Sequence, residues 1–139
     1  MSAIRGRKWV LWNHTGTNIL TGITGAALNG TPTTNAIDVG EYNVVRPVVL
    51  FTRVAATSII LTPTISEDGT NYASYPIAGA FSSGNSAVSA GTYTWTTSTT
   101  GTYAFPALTL NDRYLKIALT GAASGATDLV SLQLYLAVA

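Results

Sequence analysis

Hydrophobic and polar residues alternate along much of the chain, with a period of two. The alternation is clearest near the C-terminus, where one parity from residue 130 to residue 138 is Val or Leu and the other is Ser, Gln, Tyr or Ala. A period of two is typical of a β-strand that buries one face and wets the other. The same pattern predicts strands over residues 58–66 and 113–120, and weaker ones over 9–12 and 93–97.

The segment 43–53 is a less regular apolar run that is interrupted by Pro47. Proline has no N–H to donate to a neighbouring strand, so it favours the edge of a sheet or a bulge. We therefore expect residues 43–53 to form an edge strand or a bulged one.

Turn residues separate the predicted strands. Asp68-Gly69 is the pair that a two-residue type I′ hairpin prefers, and Asn29-Gly30, Gly84-Asn85 and Asn111-Asp112 indicate further turns. No stretch of the chain has the period of an amphipathic helix, so an α/β fold has no crossover helices to use. The pattern predicts an all-β fold, an antiparallel β-sandwich or jelly roll with an extended N-terminal arm.

The chain divides into two parts. Residues 1–12 form a basic and aromatic N-terminal arm together with the first strand, and residues 13–139 fit a single β-sandwich domain with long Gly/Thr/Asn-rich loops. Residues 13–36 are expected to be a long loop or short edge strands. A length of 139 residues is enough for one domain with a sizeable core.

A long central stretch, residues 69–111, carries no charged side chain. Within it, Gly-Thr-Tyr-Thr-Trp at 91–95 is similar to Gly-Thr-Tyr-Ala-Phe at 101–105. We interpret the two as neighbouring strands with similar aromatic faces. The stretch is either a wet surface or a surface that lies against another subunit.

Charge is scarce: only 9% of the residues are charged and 47% are hydrophobic, with 22 Thr and 11 Ser in the place of charge. The mean hydropathy of +0.30 is high for a soluble monomer. These values favour a surface that partners cover. No apolar run is long enough for a signal peptide or a membrane span, so we expect no membrane association.

The residues needed for catalysis are few. The chain has no Cys, one His (His14) and six carboxylates, which mostly sit beside turns. His14 follows the first strand in a turn-like Asn-His-Thr-Gly, and no Gly-x-Ser-x-Gly elbow occurs. We expect no enzyme, no metal and no cofactor, and a net charge of +1 argues against nucleic-acid binding.

Three aromatic residues in the charge-free stretch, Tyr93, Trp95 and Tyr103, are candidates for an exposed contact surface. Aromatic rings stack on sugars, anchor protein interfaces and fill cores. All three roles stay open from the sequence.

The N-terminal segment holds three of the seven basic residues, followed by two tryptophans. It is either a frayed terminus or an arm that orders on an acidic neighbouring subunit. The residues predicted to contact a partner are Arg5, Arg7, Lys8, Trp9 and Trp12.

Two segments carry a resemblance to a known group. An alternating strand runs into Ser-Glu-Asp-Gly-Thr-Asn-Tyr at 66–72, and Arg-Tyr-Leu-Lys at 113–116 leads to a Gly turn and a last apolar strand. The pattern resembles that of small virion proteins of tailed bacteriophages. The resemblance covers about the last half to two-thirds of the chain.

The resemblance implies a capsid decoration (cement) protein that binds and stabilises adjacent capsid subunits. Its partners would be the major capsid protein and copies of itself, as a dimer or trimer. It would lie on the outer capsid surface of the virion after synthesis in the host cytoplasm. The alternative is a carbohydrate- or receptor-binding β-sandwich module of a phage tail or fibre.

Overall fold

A computed structural model describes residues 10–12, 23–76, 86–89 and 91–138. In these residues twelve β-strands form two antiparallel sheets, and the only helical element is a short 3-10 turn at Leu28–Gly30. The strands are β1 Val10–Trp12, β2 Ala26–Ala27, β3 Ile37–Asp38, β4 Val44–Thr52, β5 Ser58–Ser66, β6 Ala73–Ser74, β7 Ser86–Ser89, β8 Thr92–Thr96, β9 Gly101–Ala104, β10 Leu108–Thr109, β11 Tyr114–Thr120 and β12 Leu129–Ala137. None of the helical structure described is long and apolar enough to cross a membrane.

Sheet A is built on the long pair of β4 and β12, which runs from Thr52 opposite Leu129 to Val44 opposite Ala137. The short strands β1 and β2 pair with the other side of β12, and β9 and β10 pair with the other side of β4. The predicted strand near the C-terminus is confirmed because its alternate Val and Leu side chains, 130 to 136, are buried. The alternation predicts that Val138 is buried as well. Val138 instead lies just after the end of β12 and is 59% exposed.

Sheet B is built on the pair of β5 and β11, which runs from Ser66 opposite Tyr114 to Ile60 opposite Thr120. β3 pairs with the free side of β11. On the other side of β5, β6 pairs with one end and β8 with the other, and β7 pairs with β8. The predicted strand over residues 58–66 is confirmed with the same bounds. Residues 23–36 supply β2 and an isolated bridge at Thr33, as expected for short edge elements, and residues 13–22 lie outside the described residues.

The two sheets pack face to face around one apolar core, so the described fold is a β-sandwich. Leu115, Ile117 and Leu119 of sheet B and Val49 and Leu134 of sheet A are fully or almost fully buried. Burial of each such side chain contributes about 1.5–3 kcal/mol. The alternation read from the sequence therefore identifies the faces that the sheets turn towards each other.

The prediction that Pro47 marks an edge or a bulge is wrong, because β4 is paired on both sides. Pro47 lies opposite Leu134 in the β12 pairing, and its carbonyl accepts a hydrogen bond from the Phe105 N–H at 2.9 Å. The N and C=O of a strand residue point to the same side, so the missing N–H faces the gap between β9 and β10. No donor is needed towards β12.

The Asp68-Gly69 turn is longer than the predicted two-residue type I′ hairpin. β5 and β6 pair as a hairpin, but residues 67–72 connect them. The Asp68 carboxylate accepts hydrogen bonds from the N–H groups of Thr70 and Asn71, both at 2.8 Å. The side chain of Asp68 thus shapes a wider turn, a role that Asp often has in loops.

One buried carboxylate joins two loops at one end of the sandwich. Asp128, just before β12, has no exposed surface and accepts hydrogen bonds from the N–H groups of Val54, Ala55 and Ala56 in the β4–β5 loop. A further N–H, from Gly125, donates at 2.8 Å. Burial raises the pKa of Asp128, but these backbone donors outweigh it and hold the pKa well below its usual range.

Gly121 directly follows β11 on the side of the β4–β5 loop, where the Thr57 N–H donates a hydrogen bond to the Ala122 carbonyl at 3.0 Å. A Cβ atom at this position would be 2.3 Å from the Ser58 carbonyl oxygen and 2.6 Å from the Leu28 Cδ2. The first of these atoms belongs to the backbone and cannot move aside without shifting β5. Only glycine fits this close approach.

We expect Gly121→Ala to destabilise the protein by about 2–4 kcal/mol, as an overpacked site with a fixed backbone neighbour does. Gly30→Ala is the matched control, since a Cβ there has nothing within 4 Å. The control should stay within about 0.5 kcal/mol of wild type. Urea denaturation of the three proteins measures the difference, and equal stabilities of the two variants would show that the loops can separate.

We expect Asp128→Asn to lower Tm at pH 7 by roughly 10 °C, because an amide cannot accept from all the buried donors. A carboxyl with a depressed folded-state pKa stabilises above its unfolded pKa, about 4, and this contribution is lost as the pH falls. The difference from wild type should therefore shrink at pH 3. Asp38→Asn, at an exposed carboxylate, is the control and should cost only a few degrees at about pH 7. A constant difference across pH would contradict the role of the charge.

Candidate functional site

The predicted contact residues of the N-terminal arm fall mostly outside the described residues. Arg5, Arg7, Lys8 and Trp9 lie there, as does His14. Trp12 ends β1, where its backbone is paired with Leu134. The first strand predicted over residues 9–12 is therefore present as Val10–Trp12, at one side of β12.

The three candidate aromatic residues contribute to the interior of the sandwich. Tyr93 is only 6% exposed, so of the three roles left open by the sequence it fills the core and is not an exposed contact residue. Trp95 and Tyr103 are partly buried against the core, with their ring centroids 5.1 Å apart in an edge-to-face arrangement. Tyr93 and Trp95 point towards the core because they lie directly opposite Leu61 and Ile59 of β5. Directly paired residues share one face of a sheet, and Leu61 and Ile59 face inward.

The two similar sequence segments form strands of different sheets. β8 belongs to sheet B and β9 to sheet A, so the segments face each other across the core instead of pairing side by side. Trp95 of β8 also contacts Phe105, which follows β9, at 5.6 Å between ring centroids. The similarity reflects aromatic residues that meet between the sheets.

Three exposed apolar side chains lie close together at one end of the outer surface of sheet A. Leu50 on β4 and Leu129 on β12 are diagonal neighbours there, 38% and 36% exposed. Val54, in the loop held by Asp128, is 57% exposed at the same end. We call Leu50, Val54 and Leu129 the apolar face.

The outer surface of sheet B is rich in threonine. On β5, β8 and β11 the outward-facing positions carry one charged side chain, that of Lys116, whose amine lies 4.6 Å from the centre of the Tyr72 ring. The threonines at these positions are Thr62, Thr64, Thr92, Thr94, Thr96 and Thr120. On β4, β9 and β12 the outward-facing positions of sheet A likewise carry one charged side chain, that of Arg46. Both outer surfaces are thus poor in charge, and the β-branched threonines limit the flexibility of sheet B's surface.

Most of the acidic residues gather at the end of the sandwich opposite Asp128. They come from the β3–β4 region, the β5–β6 turn and the β10–β11 connection, which meet at this end. We call this group the acidic end, and it comprises five of the six carboxylates of the chain: Asp38, Glu41, Glu67, Asp68 and Asp112.

Two of the five carboxylates have local partners. Asp38 forms a salt bridge of 3.1 Å with Arg113, and the Gly40 N–H together with this guanidinium holds the pKa of Asp38 below its usual value. The donors of its own turn, first the N–H groups of Asn71 and Thr70, hold the pKa of Asp68 well below its usual range. Both groups are therefore charged at neutral pH.

The neighbouring Asp112 changes the pKa of a third carboxylate, that of Glu67. The hydrogen bond between Glu67 and Asp112, together with the negative charge of Asp112, raises the pKa of Glu67 above its usual value. Arg113 is the only basic residue that lines the described clefts at this end. The acidic end thus carries a net negative charge, with five carboxylates against the one guanidinium of Arg113.

Open clefts lie between the loops of the acidic end. One of about 660 Å³ is lined by Asp38, Glu41, Glu67 and Asp112. An adjoining cleft of about 310 Å³ adds Val138. In the described residues no group of three or more His, Asp or Glu side chains is arranged to hold a metal ion.

The acidic end was not singled out from the sequence. The available signal was that the carboxylates sit beside turns, but a turn does not specify the end of the sandwich at which it lies. Residues 38, 67 and 112 are brought together by the order of the strands. In comparisons with known proteins, no family model matches the chain and no curated protein shows significant similarity to it.

We expect Glu67→Gln to raise Tm at pH 7 by about 1–3 °C, because it removes repulsion between two neighbouring carboxylates. An acid with a raised folded-state pKa destabilises the fold as the pH rises above its unfolded value, about 4.3. The gain should therefore vanish at about pH 3, where both states are protonated. Glu41→Gln is the control for a change of net charge, and an equal gain in both variants would contradict the pairing with Asp112.

Proposed function

We propose that the protein is a structural virion protein, a capsid decoration (cement) protein that binds and stabilises adjacent capsid subunits. The observation that carries this proposal is the apolar face on the rigid sheet A. Its partners are the major capsid protein and copies of itself, as a dimer or trimer. Its place is the outer capsid surface, after synthesis in the host cytoplasm.

The apolar face supports binding because Leu50, Val54 and Leu129 are held in place by structure beneath them. Leu50 and Leu129 lie on the two longest paired strands of sheet A, and Val54 lies in the loop that Asp128 fixes. A preorganised apolar surface loses little conformational entropy when a partner covers it. Many symmetric copies on a shell would turn modest individual contacts into strong bracing.

The proposal extends to finer features of the fold and its N-terminus. The sandwich is of the jelly-roll type, and residues 1–12 act as an extended arm. Arg5, Arg7 and Lys8 supply positive charge to that arm, and Trp9 and Trp12 supply aromatic anchors. Aromatic and Arg residues are the side chains that most often dominate binding at protein interfaces.

The alternative is a carbohydrate- or receptor-binding module of a phage tail or fibre. Such a module needs exposed aromatic rings on which a sugar can stack. Tyr93 is buried, and Trp95 and Tyr103 are partly buried in contact with each other. The decoration protein is therefore the preferred proposal.

Cryo-electron microscopy of the native particle that contains this chain tests the proposal directly. We expect regularly repeated density over an icosahedral shell, with sheet A facing neighbouring subunits. Density confined to a tail tip or fibre would overturn the decoration role and support the alternative.

Variants of the apolar face give a second test, with purified particles stripped of this protein as the probe. We expect Leu50→Asp with Leu129→Asp to raise the concentration needed for half-saturation at least about tenfold, because charge is placed in an apolar contact. Thr62→Asp with Thr120→Asp makes the same change of charge on sheet B and should bind as wild type. Equal binding by both pairs would exclude the apolar face.

A further inference from the structure

Two residue pairs in the sequence have the chemistry for ring closure between a side chain and the main chain. Asn29-Gly30 and Asp68-Gly69 each place an amide or carboxyl side chain directly before a glycine. The glycine nitrogen can attack the side-chain carbonyl carbon and form a five-membered succinimide, because glycine has no Cβ to hinder the approach. The local structure decides which of the two pairs can react.

The Asp68-Gly69 pair is held in a conformation that protects it. The Asp68 carboxylate accepts hydrogen bonds from the N–H groups of Thr70 and Asn71, both at 2.8 Å. The Gly69 N–H, whose nitrogen would have to attack, donates to the Ser66 hydroxyl at 3.0 Å. The carboxylate is also charged at neutral pH, which makes its carbon a poor target for a nucleophile. This pair is therefore unreactive in the folded protein.

The Asn29-Gly30 pair lies in an exposed turn in which the side chain is not held. Both residues are exposed, and Asn29 makes no hydrogen bond in the part of the chain that the structure describes. A Cβ atom built on Gly30 would have nothing within 4 Å, so a ring has room to form there. The Asn29 side chain is therefore free to turn towards the glycine nitrogen.

The turn that contains this pair is short and is followed by a strained residue. It is a 3-10 turn of three residues, Leu28–Gly30, and the Thr31 N–H donates to the Leu28 carbonyl at 3.2 Å. Thr31 has a φ of 51°, in the left-handed region that a β-branched side chain disfavours. Opening of the turn relieves this strain and breaks few hydrogen bonds. Asn29 can therefore leave the turn conformation for the one that ring closure requires.

The residues on either side of the turn are fixed, so the opening is local. Before the turn, the Leu28 N–H donates to the Asp128 carbonyl at 2.7 Å, and the Leu28 side chain is fully buried. After the turn, the Pro32 carbonyl accepts a hydrogen bond from the Leu119 N–H at 2.9 Å. Residues 29–31 can thus move while the sandwich stays folded.

We propose that Asn29 is a site of spontaneous deamidation in the folded protein. The Gly30 nitrogen forms a bond to the side-chain amide carbon of Asn29 and loses its proton, and the amide nitrogen takes up a proton and leaves as ammonia. Water then adds to one of the two carbonyl carbons of the succinimide and opens the ring. The products at position 29 are an aspartate and an isoaspartate, in which the main chain runs through the former side-chain carbon.

The modification places a negative charge beside the apolar face. Asn29 comes two residues after Ala27, which lies opposite Leu129 in the pairing of β2 with β12. Isoaspartate also lengthens the main chain next to the buried Leu28. The consequence for binding rests on the proposed function, because a charge at the rim of the apolar face disfavours an apolar contact there. The modification itself does not depend on that function.

Peptide mapping by mass spectrometry, after incubation of the purified full chain at mildly alkaline pH and body temperature, measures deamidation at each asparagine. We expect Asn29 to convert at least about ten times faster than Asn71 or Asn111, because those residues precede residues with side chains. Labelling with an isoaspartate-specific methyltransferase shows the second product. Equal rates at the three asparagines would overturn the proposal.

Gly30→Ala is the matched variant, since its Cβ has room and should leave the fold unchanged. We expect this variant to convert at Asn29 at least about tenfold more slowly, because the Cβ hinders the approach of the nitrogen. Melting curves confirm that the variant is folded. An unchanged rate at Asn29 would show that succinimide formation is not the route of its conversion and would overturn the proposal.

A synthetic peptide of residues 26–34 shows whether the folded turn reacts. Local opening predicts that the folded protein converts within about tenfold of the peptide rate, because global unfolding is not needed. No detectable conversion of the folded protein while the peptide converts fully would overturn the proposal.

The stripped particles measure the consequence for binding separately. We expect Asn29→Asp to raise the concentration for half-saturation about two- to fivefold relative to Asn29→Gln, the effect of a charge at the rim of a contact. Equal binding by the two variants would overturn this consequence and leave the deamidation site in place. A failure of both variants and of the wild type to bind would overturn the proposed function, and the mass-spectrometric result would be unaffected.

Discussion

The buried carboxylate of Asp128 is the interaction on which the arrangement of the two central strands of sheet A depends. It binds four backbone N–H groups, three in the loop after β4 and one in the loop before β12. Those loops begin and end at the strands whose pairing sets the register of sheet A. Because a slip of one residue would turn every side chain to the opposite face, this anchor also fixes which residues are exposed.

The distribution of charge follows from the same organisation. One carboxylate is used inside the fold, and the other five lie at the opposite end. The outer surfaces of the two sheets are left with few charges, so they can be covered by another protein with little desolvation of charged groups.

Local sequence patterns predicted where individual strands lie, but they did not predict which strands pair with each other. The alternation over residues 58–66 matched β5 because a two-residue period depends only on which face is buried. Pro47 was misjudged because its tolerance in a central strand depends on a gap between β9 and β10, which no local pattern reveals. The role of Tyr93 stays open from the sequence for a similar reason. The aromatic character of a residue does not show which face of a strand it lies on. Only the pairing of Tyr93 with Leu61 of β5 shows that Tyr93 faces the core.

The sequence by itself determined the all-β class, the position of the longest strands and their inward faces, since these depend on side-chain periodicity within a few residues. It also determined the scarcity of charged residues on the two sheets. The tertiary structure alone decided that Asp128 lies buried between two loops and that Asp38, Glu67 and Asp112 meet at one end. These residues are separated by tens of positions, and strand order, a property of long-range pairing, determines their distance in space. The surfaces that carry the proposed functions are therefore products of topology.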